Sequence, residues 1–206
     1  MMEIDGLRTL VARHAASTNI LVALGMALGG SVSSTKLDGD VGARAEAVLD
    51  ELGVSDIVAR SGAPELLPVL ASIRADLLFG GKVLSDDLAA GGWKHPEPAL
   101  LQAFGDVSSG FPALLKFQFA PALADLGARL AAPGATFLDI GIGVGALSVA
   151  MLRQWPELRV VGIEPWSAAL ALAEANARKA GVSARVELRR GSGEDRSPAP
   201  ISRSSS

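Results

Sequence analysis

The chain has 206 residues, enough for one large domain or two small ones. Hydrophobic residues make up 49% and charged residues 20%, a balance typical of a globular protein with a hydrophobic core. The net charge of −3 gives no electrostatic reason to expect nucleic acid or a membrane as a partner, and the absence of cysteine excludes disulfides and thiolate metal sites. With only His14 and His95, no metal site is predicted, and the cysteine-free composition suits the reducing cytoplasm.

The first 130 residues are predicted to form a helical N-terminal domain. Apolar residues recur at helical spacing in four segments: 19–30, 42–53, 63–81 and 111–130. The first segment, NILVALGMALGG, is too short to span a bilayer, which needs about 20 apolar residues, so we expect a buried helix. Gly53 and the pair Gly80 and Gly81 stand where helices should end, and Pro121 should interrupt the last segment.

From residue 136 the pattern changes to alternating strands and helices. Three short runs are predicted strands, TFLDIG, RVVGIEP and ARVELRRG, and a helical segment follows each of the first two. This order predicts an α/β fold with a parallel sheet and right-handed crossovers, whose third strand lies at an edge. The predicted domains are 1–130, 131–195 and a disordered, proline- and serine-rich tail over 196–206.

The turn after the first strand, FLDIGIGVG, predicts a ligand site. Gly141, Gly143 and Gly145 lie at the carboxyl end of the strand, where ligands bind in such sheets. Glycine permits positive φ and has no Cβ, so a ligand can lie on the backbone next to the N-terminus of the following helix. Gly141, Gly143 and Ala146 also fit the spacing of a dinucleotide site, but the carboxylate of Asp139 would repel a pyrophosphate and suits a cationic ligand, S-adenosylmethionine.

The ends of the other two strands add candidate residues. Glu164 ends the second strand, where a carboxylate can accept both ribose hydroxyls, and Trp166 could cover an adenine face. The third strand ends in GSGED, so Glu194 and Asp195 could meet the edge of the adenine.

These three motifs, in this order, resemble class I S-adenosylmethionine-dependent methyltransferases over residues 134–195. The resemblance implies a Rossmann-like sheet, with Asp139 and the three glycines around the methionine part of the cofactor and Glu164 on the ribose. It places Trp166, Glu194 and Asp195 at the adenine, although the family often has Asp where this chain has Ser192. It also implies a small-molecule methyl acceptor and a homodimer through the N-terminal helices.

The resemblance covers only part of the family's fold. About three of its roughly seven strands can be recognised before the sequence RSPAPISRSSS. We therefore expect an incomplete sheet, and the sequence leaves open the interpretation that the chain is a truncated or frameshifted product without activity. The N-terminal helices or a partner chain would then cover the open edge of the first strand, and no catalytic residue is nominated.

Two other functions remain open from the sequence. The first is an NAD-binding oxidoreductase domain, based on Gly141, Gly143, Ala146 and Glu164, and the second is a non-catalytic homodimeric interaction protein. His95 is interpreted as a surface residue rather than a base. A set of aromatic residues is interpreted as core or dimer interface rather than an acceptor pocket: Trp93, Phe104, Phe111, Phe117 and Phe119.

Overall fold

The computed structural model describes residues 4–35, 37–85, 97–123, 125–195 and 199–200. The chain divides into two compact units, residues 1–77 and residues 78–206. The second unit therefore begins well before residue 131, at which the sequence places the start of the cofactor domain. Trp93 and His95 lie outside the described residues, as does most of the predicted tail.

The first unit is helical. Its elements are α1 (Ile4–Ser33), α2 (Gly39–Glu51), α3 (Ser55–Arg60) and the first part of α4 (Ala63–Ser85). Leu28 of α1 packs against Leu66, Leu70 and Ile73 of α4, because these side chains recur on one face of each helix. The chain leaves α2 at Gly53, whose φ of +68° is the left-handed conformation expected after a helix.

Two details of these helices differ from the prediction. Helix α4 continues through Gly80 and Gly81 to Ser85, because neither glycine adopts the positive φ that would end it. The predicted buried helix over 19–30 is buried on one side only: Leu28 is 2% exposed, whereas Leu21 and Val22 are more than 40% exposed. Among the described helices, none combines the length and apolarity that a membrane span requires.

The second unit begins with short helical segments ahead of the sheet. These are α5 (Pro98–Val107), a 3-10 turn (Ser108–Gly110), α6 (Phe111–Leu114), a π-helical stretch (Leu115–Phe119) and α7 (Leu126–Ala131). The interruption predicted near Pro121 is present, since turn residues follow Phe119.

The sheet has the predicted α/β order. Its elements are β1 (Thr136–Ile140), α8 (Ala146–Gln154), β2 (Arg159–Glu164), α9 (Ser167–Lys179), β3 (Val186–Arg190) and β4 (Ala199–Pro200). The strand order is β1-β2-β3-β4, and the first three strands are parallel. The Rossmann-like prediction of three parallel strands behind a helical region is thus confirmed.

Strand β3 is not an edge strand along its whole length. Ala199 and Pro200, within the segment predicted to be a disordered tail, pair antiparallel with Arg190 and Arg189. Two residues are enough to occupy the end of β3, so the predicted edge holds only for the rest of the strand.

The core of this unit lies between the sheet and helices α8 and α9. Its most buried side chains include Met151, Leu158 and Val160, each at most 1% exposed. The guanidinium of Arg185 donates to the carbonyl oxygens of Leu152, Trp155 and Leu158 at 3.1–3.3 Å. It therefore satisfies the carbonyl of Leu152 in the last turn of α8 and ties the end of this helix to the segment that leads into β2.

Candidate functional site

The glycine turn between β1 and α8 has the geometry predicted for a ligand-binding backbone. Gly141, Gly143 and Gly145 have φ angles of +75°, +56° and +75°, a region that L side chains rarely adopt. A Cβ added at Gly141 would meet no atom within 4 Å, so this position borders open space. At Gly145 a Cβ would lie 3.3 Å from Cβ of Ala173, so this third glycine allows close packing of α9.

Glu164 connects the end of β2 to the same turn. Its Oε2 accepts a hydrogen bond from the backbone N–H of Gly143 at 3.0 Å, and its Oε1 accepts one from the N–H of Trp166 at 3.1 Å. A carboxylate has about four lone-pair sites, so two remain for a ligand's hydroxyl groups. The side chain is partly exposed, as such a role requires.

Asp139 is buried beside the turn, with a relative exposure of 9%. Its Oδ2 accepts a hydrogen bond from Oγ of Ser148 at 2.6 Å. Burial raises the pKa of Asp139 above its usual value of 3.8, the hydrogen bond from Ser148 lowers it, and the charge of Glu164 raises it. The two carboxylates are thus close enough to repel each other, and a cation placed between them would be attracted to both.

A cavity of about 330 Å³ opens beside the turn. Asp139, Gly141 and Gly143 line one side, and α5 with the residue after it lines the other through Leu101, Phe104, Gly105 and Ser108. Helix α5 can come this close because a Cβ at Gly105 would overlap Cγ2 of Val144 in the turn. The buried carboxylate and the bare backbone therefore face a space that a small molecule can enter.

The third motif lies at the same edge of the sheet but is more exposed. Glu194 and Asp195 are exposed, and the carboxylate of Asp195 accepts a hydrogen bond from the backbone N–H of Ser192. A Cβ at Gly193 would lie 2.7 Å from Cγ2 of Ile140, so this loop passes over the end of β1. Trp166 is partly buried and caps the start of α9.

The structure therefore brings Asp139, Gly141 and Gly143 together around one cavity, and Glu164 is joined to this turn by its hydrogen bond with Gly143. The loop of Glu194 and Asp195 reaches the end of β1. The assignment of these residues to parts of a cofactor stays a prediction.

Sequence reasoning missed several residues that shape the site. Phe104 is 37% exposed and lines the cavity, although it was interpreted as core or interface. Ser148 and Asn176, on the two helical segments that follow the predicted strands, are not among the predicted site residues. A polar Asn176 next to the buried positions Ala173 and Ala177 was the available signal, because a side chain on the inner face of a helix needs a partner.

Comparisons with known proteins agree with this geometry. Residues 137–202 match the family model of the methyltransferase domain. The release factor glutamine methyltransferase of Geobacter sulfurreducens is 47% identical over 64 residues, which cover 31% of this chain and 22% of that protein. The chain thus matches about a fifth of the length of this curated relative.

Two solved structures are similar over a larger part of the chain. An O-methyltransferase family protein from Burkholderia thailandensis is 14% identical with a TM-score of 0.43, covering 95% of this chain and 66% of its own. An O-methyltransferase from neocarzinostatin biosynthesis, solved with S-adenosylmethionine and a naphthoic acid, is 16% identical with a TM-score of 0.38. In that comparison 84% of this chain and 63% of the solved chain are covered.

A glycine turn, a carboxylate at the end of β2 and a parallel sheet of this order define a Rossmann-like ligand-binding unit. Residues 137–202, about a third of the chain, are similar to the methyltransferase domain, the family whose model they match.

Proposed function

We propose that this protein is an S-adenosylmethionine-dependent methyltransferase that acts on a small-molecule acceptor. The observation that carries the proposal is the convergence of two carboxylates on one glycine turn: Asp139 lines its cavity and Glu164 holds Gly143. A bare backbone between two negative charges suits a ligand that carries an ammonium, a sulfonium and a ribose.

Each site residue has a proposed task toward the cofactor, which supplies an electrophilic methyl group when bound. Asp139 stabilises positive charge, and its contact with Ser148 holds the carboxylate in place. Gly141 and Gly143 let the ligand lie on the backbone, while the two unused lone pairs of Glu164 accept ribose hydroxyls. Trp166, Glu194 and Asp195 are proposed to border the adenine.

The charge at the turn argues against a dinucleotide. A pyrophosphate at the N-terminus of α8 would lie close to Asp139, which is buried and therefore weakly screened. The repulsion would oppose the favourable effect of the helix N-terminus on a phosphate. The methyltransferase-domain match over residues 137–202 supports S-adenosylmethionine for the same site.

The acceptor is proposed to be a small molecule because α5 closes one side of the cavity. An acceptor must then enter between Phe104 and the turn, which favours a compact ligand over a folded protein surface. The 47% identity to a release factor glutamine methyltransferase covers only 22% of that protein, so the acceptor of that protein is not carried over to this chain.

A homodimer through the N-terminal helices, in the cytoplasm, completes the proposal. Its support is an exposed apolar stripe on α1, formed by Leu21, Val22 and Met26, each more than 40% exposed. Light scattering should give twice the mass of one chain, and Leu21→Glu should return the mass to that of a monomer. A monomer at all concentrations would contradict the dimer without touching the cofactor site.

Calorimetric titration with S-adenosylhomocysteine tests the cofactor assignment. We expect binding heat from the folded protein and no change in nicotinamide fluorescence on mixing with NADH. No heat at millimolar ligand, from protein with a cooperative unfolding transition, would overturn the proposal.

Transfer of radiolabelled methyl groups then tests the acceptor class. Label from S-adenosylmethionine should enter members of a panel of small phenols and amines. Label only in a glutamine-containing peptide would overturn the small-molecule assignment and leave the cofactor assignment intact.

A further inference from the structure

A polar network that the proposed function does not use lies behind the glycine turn. Nδ2 of Asn176, on α9, donates one hydrogen bond to the carbonyl oxygen of Val144 and a second to Oε1 of Gln102, both at 2.9 Å. Nε2 of Gln102 in turn donates to Oδ1 of Asp106 at 2.7 Å. Three separate parts of the second unit, α9, the glycine turn and α5, are therefore joined by one chain of hydrogen bonds.

The direction of this chain is fixed by chemistry. A backbone carbonyl can only accept, so the amide nitrogen of Asn176 must face Val144. The carboxylate of Asp106 accepts, so the nitrogen of Gln102 must face it and the oxygen of Gln102 must face Asn176. Both hydrogens of the Asn176 amide are thus used, and flipping either amide would place its oxygen against another acceptor, the carbonyl of Val144 for Asn176 or the carboxylate of Asp106 for Gln102.

The contact with Val144 acts on the middle of the turn. The peptide between Val144 and Gly145 is held at both ends, since the N–H of Gly145 donates to the carbonyl oxygen of Ile142 at 2.9 Å. Glu164 holds Gly143 from the opposite side. A peptide plane held at both ends cannot rotate, which fixes the direction of the neighbouring N–H groups at the start of α8.

The contact with Gln102 acts on the opposite wall of the cavity. Gln102 and Phe104 are on the same short helix, and Gly105 allows that helix to lie against Val144 without overlap. Without the hydrogen bond from Asn176, α5 would be held by the packing of Gly105 and of its buried apolar side chains, which fixes its position less directionally. We propose that Asn176 is a positioning residue that holds the glycine turn and, through Gln102, helix α5 in the geometry that binds the methionine part of the cofactor.

This inference rests on the proposed function for the identity of the ligand, but its mechanical part can be tested without one. Hydrogen exchange of the unliganded full chain should be faster at residues 141–149 in Asn176→Ala than in the original protein. Glu174→Gln is the matched control on the same helix, because its partner Arg178 lies 3.9 Å away on the surface. Equal exchange in Asn176→Ala and the control would overturn the inference.

Ligand binding gives the second readout. A neutral hydrogen bond contributes about 1 kcal/mol, so the loss of both contacts in Asn176→Ala should weaken S-adenosylhomocysteine binding by up to about 30-fold. Adenosine, which lacks the methionine part, should bind within about twofold of its original affinity. Gln102→Ala removes one of the two contacts of Asn176 and keeps the contact with Val144, so it should show a smaller loss of the same kind, about threefold to fivefold.

The outcomes separate the inference from the proposed function. Unchanged S-adenosylhomocysteine affinity in Asn176→Ala, or an equal loss for adenosine, would overturn the positioning role. If the original protein binds no S-adenosylhomocysteine, the proposed function fails, and hydrogen exchange alone decides whether Asn176 holds the turn. If Asn176→Ala does not fold, Gln102→Ala decides by the same two measurements.

Discussion

Glu164 is the side chain whose substitution gives the sharpest test of the site. Glutamine keeps its size but turns one of its two accepting oxygens into a donating amide. Because the two oxygens accept from the N–H groups of Gly143 and Trp166 at 3.0 and 3.1 Å, one of these N–H groups would face a donor in Glu164→Gln. The substitution therefore disturbs the turn and the start of α9 as well as the ligand.

The magnitude follows from the charge of the lost acceptor. A hydrogen bond to a charged group contributes about 1.5–3 kcal/mol, so the free energy of unfolding should fall by about 2 kcal/mol. A loss of similar size in contacts to ribose hydroxyls would weaken ligand binding by about 30-fold. Removing the charge of Glu164 would also lower the pKa of Asp139, which favours a cation, but Glu164 is the smallest of the three influences on that pKa.

Calorimetry with S-adenosylhomocysteine and urea unfolding measure the two effects. Glu187→Gln is the matched control, because Glu187 pairs with Arg189 on the exposed side of β3 and surface pairs contribute little. The control should bind within about twofold of the original protein. Unchanged ligand affinity in Glu164→Gln, or an equal loss in Glu187→Gln, would refute the role given to Glu164.

Three further substitutions test packing, capping and charge in the same unit. Gly105→Ala should lower the free energy of unfolding by about 2 kcal/mol in urea, although alanine favours helix, because the new Cβ would overlap Val144. Arg185→Met should lower it by about 2–3 kcal/mol and leave ligand affinity unchanged, because its guanidinium donates to three carbonyls at the end of α8 and beyond. Asp139→Asn should raise the free energy of unfolding at pH 7 and weaken binding of S-adenosylmethionine. The folded-state pKa of Asp139 is raised from 3.8. The protonated carboxyl therefore contributes stability at pH values below 3.8, and this contribution is lost as the pH rises through the folded-state pKa. The stability advantage of Asp139→Asn over the original protein should grow across the same rise in pH.

The first two have control variants of matched chemistry, and the third is checked by its dependence on pH. Gly80→Ala places a Cβ in open space on a helix, so it should stabilise by about 0.5–1 kcal/mol, opposite in sign to Gly105→Ala. Arg178→Met removes an exposed partner and should change stability by less than about 0.5 kcal/mol. A stability difference between Asp139→Asn and the original protein that is the same at every pH would contradict the burial of an ionising carboxylate.

The strand-end residues could be predicted because their signals are local. Three alternating glycines after an apolar run require positive φ wherever they occur, and Gly141, Gly143 and Gly145 adopt it. Parallel strands joined by right-handed crossovers bring their carboxyl ends to one edge, so a carboxylate ending β2 had to lie near the turn after β1. The contact of Glu164 with Gly143 is the result.

The opposite wall of the cavity could not be predicted in this way. Helix α5 lies against the turn at Gly105, a glycine within a helix that no turn signal marks. Gln102 contacts Asn176, which is 74 positions away in the chain. No periodicity encodes such a pair, because each residue alone is an ordinary polar side chain on an amphipathic helix. The continuation of α4 past Gly80 could not be predicted either, because glycine permits a helix to end but does not require it.

Under the proposed function, a cationic ligand at the turn explains the burial of Asp139. An ionised carboxylate with one hydrogen bond and a nearby like charge destabilises the folded chain, and an asparagine could keep the contact with Ser148 without that cost. The surrounding turn is held by Glu164 and Asn176, so it cannot relax to expose the carboxylate to water. A cationic ligand would stabilise the charge that the fold alone does not. In Asp139→Asn, ligand affinity should therefore fall while the free energy of unfolding of the unliganded protein rises.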